Sequence, residues 1–195
     1  MTSPLTAEAF VADLLEIFER LGSRRYGEDV SQLEHALQTA HHAQADGAGA
    51  ELIAASLLHD VGHLLDKRGE TAAERSIDTR HEVIGAGYLT RGFGLGVTEP
   101  VRLHVAAKRY LAGAEPGYAD QLSRASSASL LLQGGPMDAK EAEAFLREPG
   151  AADAVRLRRY DEMGKVQGAA PAGLESYRDL LLELARPHFS PRREG

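Results

Sequence analysis

Cysteine is absent from this chain of 195 residues, and so is tryptophan. The lack of cysteine excludes disulfide bonds, zinc sites built from thiolates and catalysis by a thiol nucleophile. Aromatic residues make up only 6% of the sequence, which leaves few side chains for stacking on a nucleotide base. Any metal ion must therefore bind to nitrogen and oxygen atoms, which the eight histidines and 29 acidic residues can supply.

Long apolar runs are also missing, so we expect no membrane-spanning segment. The first residues, Met1 to Pro4, lack the basic and apolar regions of a signal peptide, which predicts a cytoplasmic protein. A formal net charge of −7 argues against nucleic acid as the main partner. This composition favours a small molecule as the ligand, and it gives no indication of an obligate protein partner.

Helical periodicity dominates the sequence. Apolar residues recur at helical spacing over residues 7–21, and no segment of useful length shows the alternation of a β-strand. Two capping boxes, Ser31 with Glu34 and Asp138 with Glu141, predict the starts of two further helices. We therefore predict an all-α fold.

The length and the absence of an internal repeat or linker predict a single domain over residues 1–195. A charged stretch over residues 66–80 reads as a loop long enough to cover a site, and we expect a frayed tail over residues 187–195. Further helices are predicted over residues 53–65, over residues 81–89, from an N-cap at Thr98 with Pro100 in the first turn, over residues 119–133 and over residues 174–185.

The centre of the pattern is an apolar stretch over residues 53–65 that carries His59, Asp60 and His63. Burying an imidazole beside a carboxylate costs free energy unless both groups are satisfied. Neutral histidine and ionised aspartate are good ligands for divalent ions, so metal coordination would satisfy them. If the stretch is one helix, His63 lies one turn after His59 on the same face. The alternative is a core helix with a few hydrogen-bonded polar groups.

Other polar residues on apolar helices extend this pattern to five separate segments. The complete set is His35, His59, Asp60, His81, His104 and Asp161. Because helices of an all-α domain surround one core, these side chains can converge there. Four imidazoles and two carboxylates, one of them able to bridge, suit two octahedral metal ions with open positions. His41, His42 and His188 lie outside the pattern.

This spacing resembles the HD-domain metalloprotein superfamily, which implies an HD-type helical bundle with a two-metal site in its core. The superfamily contains both phosphohydrolases and di-iron oxygenases. The sequence is more closely similar to the phosphonate-degrading HD oxygenases of the PhnZ type, with the match running from about residue 24 to 180. The segments that carry this resemblance are Gln32–His35, Leu57–His63, His104–Leu111, Gln133–Asp138 and Asp161–Lys165.

The resemblance implies a mixed-valent Fe(II)/Fe(III) site that uses O2 to cleave a carbon–phosphorus bond. The implied substrate is a 1-hydroxy-2-aminoethylphosphonate with a free or trimethylated amine, and the products are glycine or glycine betaine and phosphate. His35, His59, Asp60 and Asp161 would hold one iron ion. Asp60 would bridge to the second, held by His81 and His104.

The resemblance also implies residues that bind the substrate. Those expected at the phosphonate are His63, Lys108, Ser126, Ser129 and Arg158. Glu28 matches the position that binds the substrate amine, whereas Tyr26 is displaced by one residue from the position of a tyrosine lid. This displacement favours a pocket that admits the trimethylated amine. The alternatives are a metal-dependent phosphohydrolase acting on a nucleotide or another phosphate ester, and a binding module without catalysis.

Overall fold

The computed structural model describes residues 6–25, 29–66, 80–169 and 171–189. Helices account for most of these residues and none of them is in a β-strand, which confirms the predicted all-α class. The α-helices are α1 (Ala7–Leu21), α2 (Gln32–Ala45), α3 (Ala50–Leu58), α4 (Val61–Leu65), α5 (His81–Leu89), α6 (Leu95–Ala114), α7 (Arg124–Leu132), α8 (Ala139–Leu146), α9 (Ala151–Met163) and α10 (Arg178–Phe189). Short 3-10 helices cover Ala119–Gln121 and Leu174–Tyr177.

Both capping boxes are formed as predicted. At the start of α2, the Ser31 backbone N–H donates to Glu34 Oε2 at 2.7 Å, and the Glu34 N–H donates to Ser31 Oγ at 3.3 Å. Asp138 and Glu141 make the same reciprocal pair at the start of α8. Each box satisfies two backbone N–H groups that the first turn of a helix leaves without partners.

Helix α3 lies at the centre of the packing. Its residues from Leu52 to Leu58 are all buried, and it packs against α2, α6, α9 and α10. A helix that is apolar on every side must be surrounded by other elements. The C-terminal end of α3, where His59 and Asp60 follow, is therefore held inside the bundle.

The predicted continuous helix over residues 53–65 was wrong at one point. Helix α3 ends at Leu58 and α4 begins at Val61, because Asp60 leaves the helical region with φ −99° and ψ 8°. Gly62 then lies against the backbone of α5, close to the His81 carbonyl group. The break places Asp60 at a turn between two helices and sends His63 toward α5.

Three other boundaries differ from the predictions. Helix α6 begins four residues earlier than an N-cap at Thr98 would allow, since Gly94 is the N-cap and makes no side-chain hydrogen bond that the sequence could reveal. The segment over residues 119–133 divides into a 3-10 turn and α7, which Ser123 caps. The last α-helix continues to Phe189, past the predicted start of the frayed tail at Pro187.

Parts of two predicted segments lie outside the described residues, namely residues 67–79 of the charged loop and residues 190–195 of the tail. Within the described part of the chain, no helix is long and apolar enough to cross a membrane.

The contact between α4 and α5 generates a test of packing. A Cβ added to Gly62 would overlap the His81 carbonyl oxygen and would lie 2.7 Å from the carbonyl carbon and 2.9 Å from Gly85 N. Because backbone atoms cannot move aside, we expect Gly62→Ala to lower the free energy of unfolding by about 1–3 kcal/mol. Urea unfolding of the metal-free protein measures this change.

The matched control is Gly87→Ala, in the middle of α5, where an added Cβ meets nothing within 4 Å. That change should raise the free energy of unfolding by about 0.5–1 kcal/mol, since alanine favours a helix over glycine. Equal stability of the Gly62→Ala variant and the parent would contradict the close approach of the two helices.

Candidate metal centre

Five elements bring the six predicted metal ligands into one buried space. His35 lies on α2, His81 opens α5, His104 lies in the middle of α6 and Asp161 lies near the end of α9. His59 and Asp60 occupy the break between α3 and α4. The four histidines and Asp161 are at most 7% exposed, so their polar atoms depend on one another and on the protein for partners.

The first group of ligand atoms comes from His35, His59 and Asp60, and all of these atoms lie within 4.8 Å of one another. Asp60 Oδ2 is 3.7 Å from His35 Nε2 and 3.5 Å from His59 Nε2. Asp161 adds a second carboxylate, with Oδ1 3.3 Å from His35 Nε2 and Oδ2 4.0 Å from His59 Nε2. This group therefore offers two imidazoles and two carboxylates.

The second group comes from Asp60, His81 and His104. Here the other carboxylate oxygen is used, since Asp60 Oδ1 lies 3.3 Å from His81 Nε2 and 3.6 Å from His104 Nε2. Each group is therefore faced by a different oxygen of Asp60. A carboxylate in this position can bridge two metal ions.

Hydrogen bonds at the outer ring nitrogens fix the tautomers of three histidines. His35 Nδ1 donates to the Gly164 carbonyl at 2.9 Å, His59 Nδ1 to the Ser56 carbonyl at 2.9 Å and His104 Nδ1 to the Val101 carbonyl at 2.7 Å. A neutral imidazole that donates from Nδ1 carries a lone pair on Nε2. All three Nε2 atoms therefore point into the same space, where each can bind a metal ion when its ring is neutral.

The inner ring nitrogens lie close together in two pairs. The Nε2 atoms of His35 and His59 are 3.2 Å apart, and those of His81 and His104 are 3.1 Å apart. Two ring nitrogens at this distance need a shared proton or a metal ion between them. Burial lowers the pKa of His35 and of His81, but the neighbouring carboxylates outweigh burial and raise it. A metal with bonds of about 2.1 Å places neighbouring ligand atoms about 3 Å apart, so the observed spacing fits a metal ion in each group.

Charge in the cluster also fits cation binding. Burial raises the pKa of Asp60, but the neighbouring imidazoles outweigh burial and hold that pKa well below its usual range, so the carboxylate is ionised. Burial lowers the pKa of both His59 and His104, which keeps these imidazoles neutral. Ionised carboxylates and neutral imidazoles are the forms in which these groups bind metals.

His81 differs from the other three histidines in its outer partner. Its Nδ1 lies 3.8 Å from Glu82 Oε2. Its ring also stacks on that of His63, with the ring centroids 3.8 Å apart and the planes 16° apart. Burial, followed by the charge of His81, lowers the pKa of His63 to about 3, so His63 is a neutral hydrogen-bonding group beside the second ligand group.

The other predicted phosphonate residues form a cluster beside the first ligand group, which we call the basic pocket: Lys108, Ser126, Ser129 and Arg158. Lys108 is only 3% exposed and donates to Ser129 Oγ at 2.6 Å. Burial, followed by the charge of Arg158, lowers the pKa of Lys108 to about 7. An anion bound in this pocket would favour the charged form of the lysine.

Arg158 connects this pocket to the ligand cluster. It is 4% exposed, and it contacts the Asp161 carboxylate through Nη1 and the Glu162 carboxylate through Nη2. Its Nε donates to Tyr118 Oη at 3.1 Å, and Nη2 donates to Ser126 Oγ at 3.3 Å. The guanidinium thus lies between a predicted metal ligand and a predicted phosphonate residue.

Two residues in this pocket were not predicted from the sequence. Tyr118 lies in the turn between α6 and the first 3-10 helix. Lys165 lies two residues after Met163, the last residue of α9, and its Nζ donates to Ser126 Oγ at 2.8 Å. Lys165 belongs to the segment Asp161–Lys165, which carries part of the family resemblance. This membership is the feature of the sequence that could have identified it as a site residue. Tyr118 had no signal, since a tyrosine in a turn is common on protein surfaces.

The sequence also singled out two residues for the amine end and three histidines outside the metal-binding pattern. Tyr26 and Glu28, predicted at the amine end, lie outside the described residues. His41 and His42 lie near the end of α2, and His188 is exposed near the end of α10. Neither ligand group contains any of these three histidines, as the sequence pattern indicated.

Curated proteins with known names are similar to this chain over most of its length. A hydroxymethylphosphonate dioxygenase of Gimesia maris is 45% identical over 168 residues, which cover 86% of this chain and 84% of the relative. A glycine-betaine-forming [1-hydroxy-2-(trimethylamino)ethyl]phosphonate dioxygenase of Leisingera caerulea is 44% identical over 150 residues, which cover 76% of each protein. An uncharacterised protein, L432, of Acanthamoeba polyphaga mimivirus is 34% identical over 176 residues, covering 89% of this chain and 80% of the relative. No protein-family model matches the chain.

The shared position of Asp60 generates a metal-binding prediction. Because its two oxygens face the two groups, Asp60→Ala should reduce the metal content of both, to less than one ion per chain. Asp161→Ala removes a ligand from the first group alone, so it should retain the ion of the second group. Mass-spectrometric metal analysis after reconstitution and desalting measures both numbers.

The control for these variants is Asp153→Ala, which removes a half-exposed carboxylate from α9 and should leave metal content unchanged. Two tightly bound ions in Asp60→Ala would show that this carboxylate does not bridge.

Proposed function

The chain belongs to the phosphonate-degrading HD oxygenases of the PhnZ type, and from this premise we propose that it cleaves the carbon–phosphorus bond of a 1-hydroxyphosphonate with O2. The proposed substrate is a 1-hydroxy-2-aminoethylphosphonate with a free or trimethylated amine. The products are then glycine or glycine betaine, and phosphate. The high identity to two named phosphonate dioxygenases over most of the chain supports this reaction.

One structural observation carries the proposal. Two groups of side chains that could each hold a metal ion share Asp60, and the buried side chains of Lys108 and Arg158 lie beside them. Burying a lysine and an arginine is costly unless an anion or carboxylate compensates their charge. The arrangement suits a substrate with a dianionic phosphonate next to the carbon that is oxidised.

We propose that the metal is iron. His35, His59, Asp60 and Asp161 would hold one ion, and Asp60, His81 and His104 would hold the other. Nitrogen and oxygen ligands without thiolates suit iron, although they also accept other divalent metals. When bound, a mixed-valent Fe(II)/Fe(III) pair supplies the one-electron and O2 chemistry that amino-acid side chains cannot supply.

The protein's own contribution is to bind and orient the substrate. Lys108, Arg158 and the Ser126 hydroxyl can donate charge-assisted hydrogen bonds to the phosphonate oxygens, and neutral His63 can donate another. Because C1 is bonded directly to phosphorus, a fixed phosphonate also fixes C1. The contact between Arg158 and Asp161 supports a position for that end beside the ligand cluster.

Ser129 has a different role in this proposal. Its hydroxyl donates to the Ser126 carbonyl at 3.0 Å and accepts from Lys108 at 2.6 Å. A hydroxyl has one proton, so this arrangement leaves Ser129 to orient Lys108 rather than to donate to the substrate. Ser129 therefore affects substrate binding by positioning the Lys108 amino group.

At the amine end we propose that Glu28 binds the substrate's cationic nitrogen and that Tyr26 contacts its methyl groups. A carboxylate stabilises an ammonium whether or not it is methylated, and an aromatic face attracts quaternary ammonium by about 0.5–2 kcal/mol. The proposal rests on the position of these residues relative to His35 in the sequence. It favours the trimethylated substrate.

The reaction prediction is that phosphate release requires O2. We expect phosphate from the 1-hydroxy-2-aminoethylphosphonates in air and none under strict anaerobiosis, because C–P cleavage here is an oxidation. The same assay compares the free-amine substrate, its trimethylated form and hydroxymethylphosphonate, and we expect the highest catalytic efficiency for the trimethylated form.

Nucleoside monophosphates serve as the control substrates in that assay. Release of phosphate from them without O2 would support a phosphohydrolase instead. Preference for the free-amine substrate would contradict the proposed amine pocket alone, and equal rates with and without O2 would contradict the oxygenase itself.

The phosphonate-binding prediction concerns Lys108. A charge-assisted hydrogen bond contributes roughly 1.5–3 kcal/mol, so Lys108→Ala should weaken substrate binding by about ten- to a hundredfold. Metal content should stay at the parent value, because Lys108 is not among the proposed ligands. Steady-state kinetics and metal analysis of the same preparation check both statements.

Ser129→Ala is the companion variant. It keeps the lysine but removes the oxygen that orients it, and we expect a smaller loss of affinity than in Lys108→Ala. An unchanged apparent affinity in Lys108→Ala would exclude this lysine from the phosphonate site.

A further inference from the structure

Lys165 lies at the basic pocket, although the set of residues predicted to bind the phosphonate does not include it. Its Nζ donates to Ser126 Oγ at 2.8 Å, and its side chain is only 14% exposed. The same Ser126 oxygen accepts a hydrogen bond from Arg158 Nη2 at 3.3 Å. One hydroxyl group therefore joins two cationic side chains.

The cationic side chains of the pocket share one carboxylate with the proposed metal site. Lys108, Arg158 and Lys165 provide three cations. Lys165 Nζ lies 3.7 Å from Asp161 Oδ1 and 3.4 Å from Glu162 Oε2, and Arg158 contacts the same two carboxylates. A metal ion bound to Asp161 would reduce the negative charge that this carboxylate offers to Arg158 and Lys165.

The hydrogen bonds at Ser126 indicate where an anion can bind. An oxygen that accepts from both Lys165 and Arg158 still has its own O–H proton to donate. Ser126 lies in the first turn of α7, and its oxygen is held by donors from α9 and from the turn after it. Two cations and a hydroxyl proton thus meet at one point, which is the pattern of an anion site.

We propose that Lys165 is a further phosphonate-binding residue, which contacts a phosphonate oxygen and, with Arg158, orients the Ser126 hydroxyl toward the same group. This inference rests on the proposed function. Lys165, two residues after the end of α9, would give the dianion a third cationic partner beside Lys108 and Arg158.

A purely structural role for Lys165 makes a different prediction. If the lysine only neutralises Asp161 and Glu162, its removal should disturb the ligand cluster and lower metal content. If it binds the phosphonate, its removal should weaken anion binding and leave the metal in place. Metal analysis and ligand binding measured on the same sample separate these two roles.

The experiment uses the metal-loaded protein under anaerobic conditions, titrated with the 1-hydroxy-2-aminoethylphosphonates by calorimetry. Lys165→Met should weaken binding by about ten- to a hundredfold with unchanged metal content. Lys165→Arg keeps the charge and should recover most of the affinity, whereas Lys165→Gln keeps a donor without the charge and should not. Lys140→Met, which removes an exposed lysine from α8, is the matched control and should bind as the parent does.

Two outcomes would overturn the proposal. One is parental affinity in Lys165→Met while Lys108→Ala is weakened, which leaves the proposed function standing. The other is metal loss in Lys165→Met and Lys165→Gln, which assigns the lysine to the carboxylates. If the parent itself binds no phosphonate, the proposed function fails together with this inference.

Discussion

The need for positive charge among inward-facing imidazole nitrogens and carboxylates is the constraint on which this structure depends. Three histidines donate from their outer nitrogens to backbone carbonyls, so their Nε2 atoms face inward toward ionised Asp60. A buried cluster of this kind is costly without a cation, because water cannot solvate it. The helices around α3 offset that cost by packing, and they hold the ligand atoms at distances that suit two metal ions.

The same geometry links metal binding to anion binding. Arg158 contacts Asp161, which faces the first ligand group, and it also donates to Ser126 in the basic pocket. A substrate that carries its negative charge next to the reacting carbon can bind the basic pocket with its anionic group while that carbon lies beside the metal ligands. This coupling distinguishes the site from a metal centre without a neighbouring cluster of buried cationic side chains.

Much of this arrangement could be predicted from local sequence. The two capping boxes depend on residues three positions apart, and both formed. The six polar residues on apolar helices could be recognised because burial of such groups requires partners. The break at Asp60 could not be predicted, since it follows from the close packing of Gly62 on α5. Lys165 was missed because a lysine after a helix end is usually solvated.

By itself, the sequence determined the helical class, the nitrogen and oxygen chemistry of any metal site and the identity of its candidate ligands, because these depend on composition and on spacing within one segment. The tertiary structure alone decided which atoms face each other. In the folded protein, Asp60 presents one oxygen to each ligand group. Lys165 contacts Ser126, which lies 39 residues earlier in the chain. Such contacts depend on how distant helices pack, and no local pattern encodes their distances.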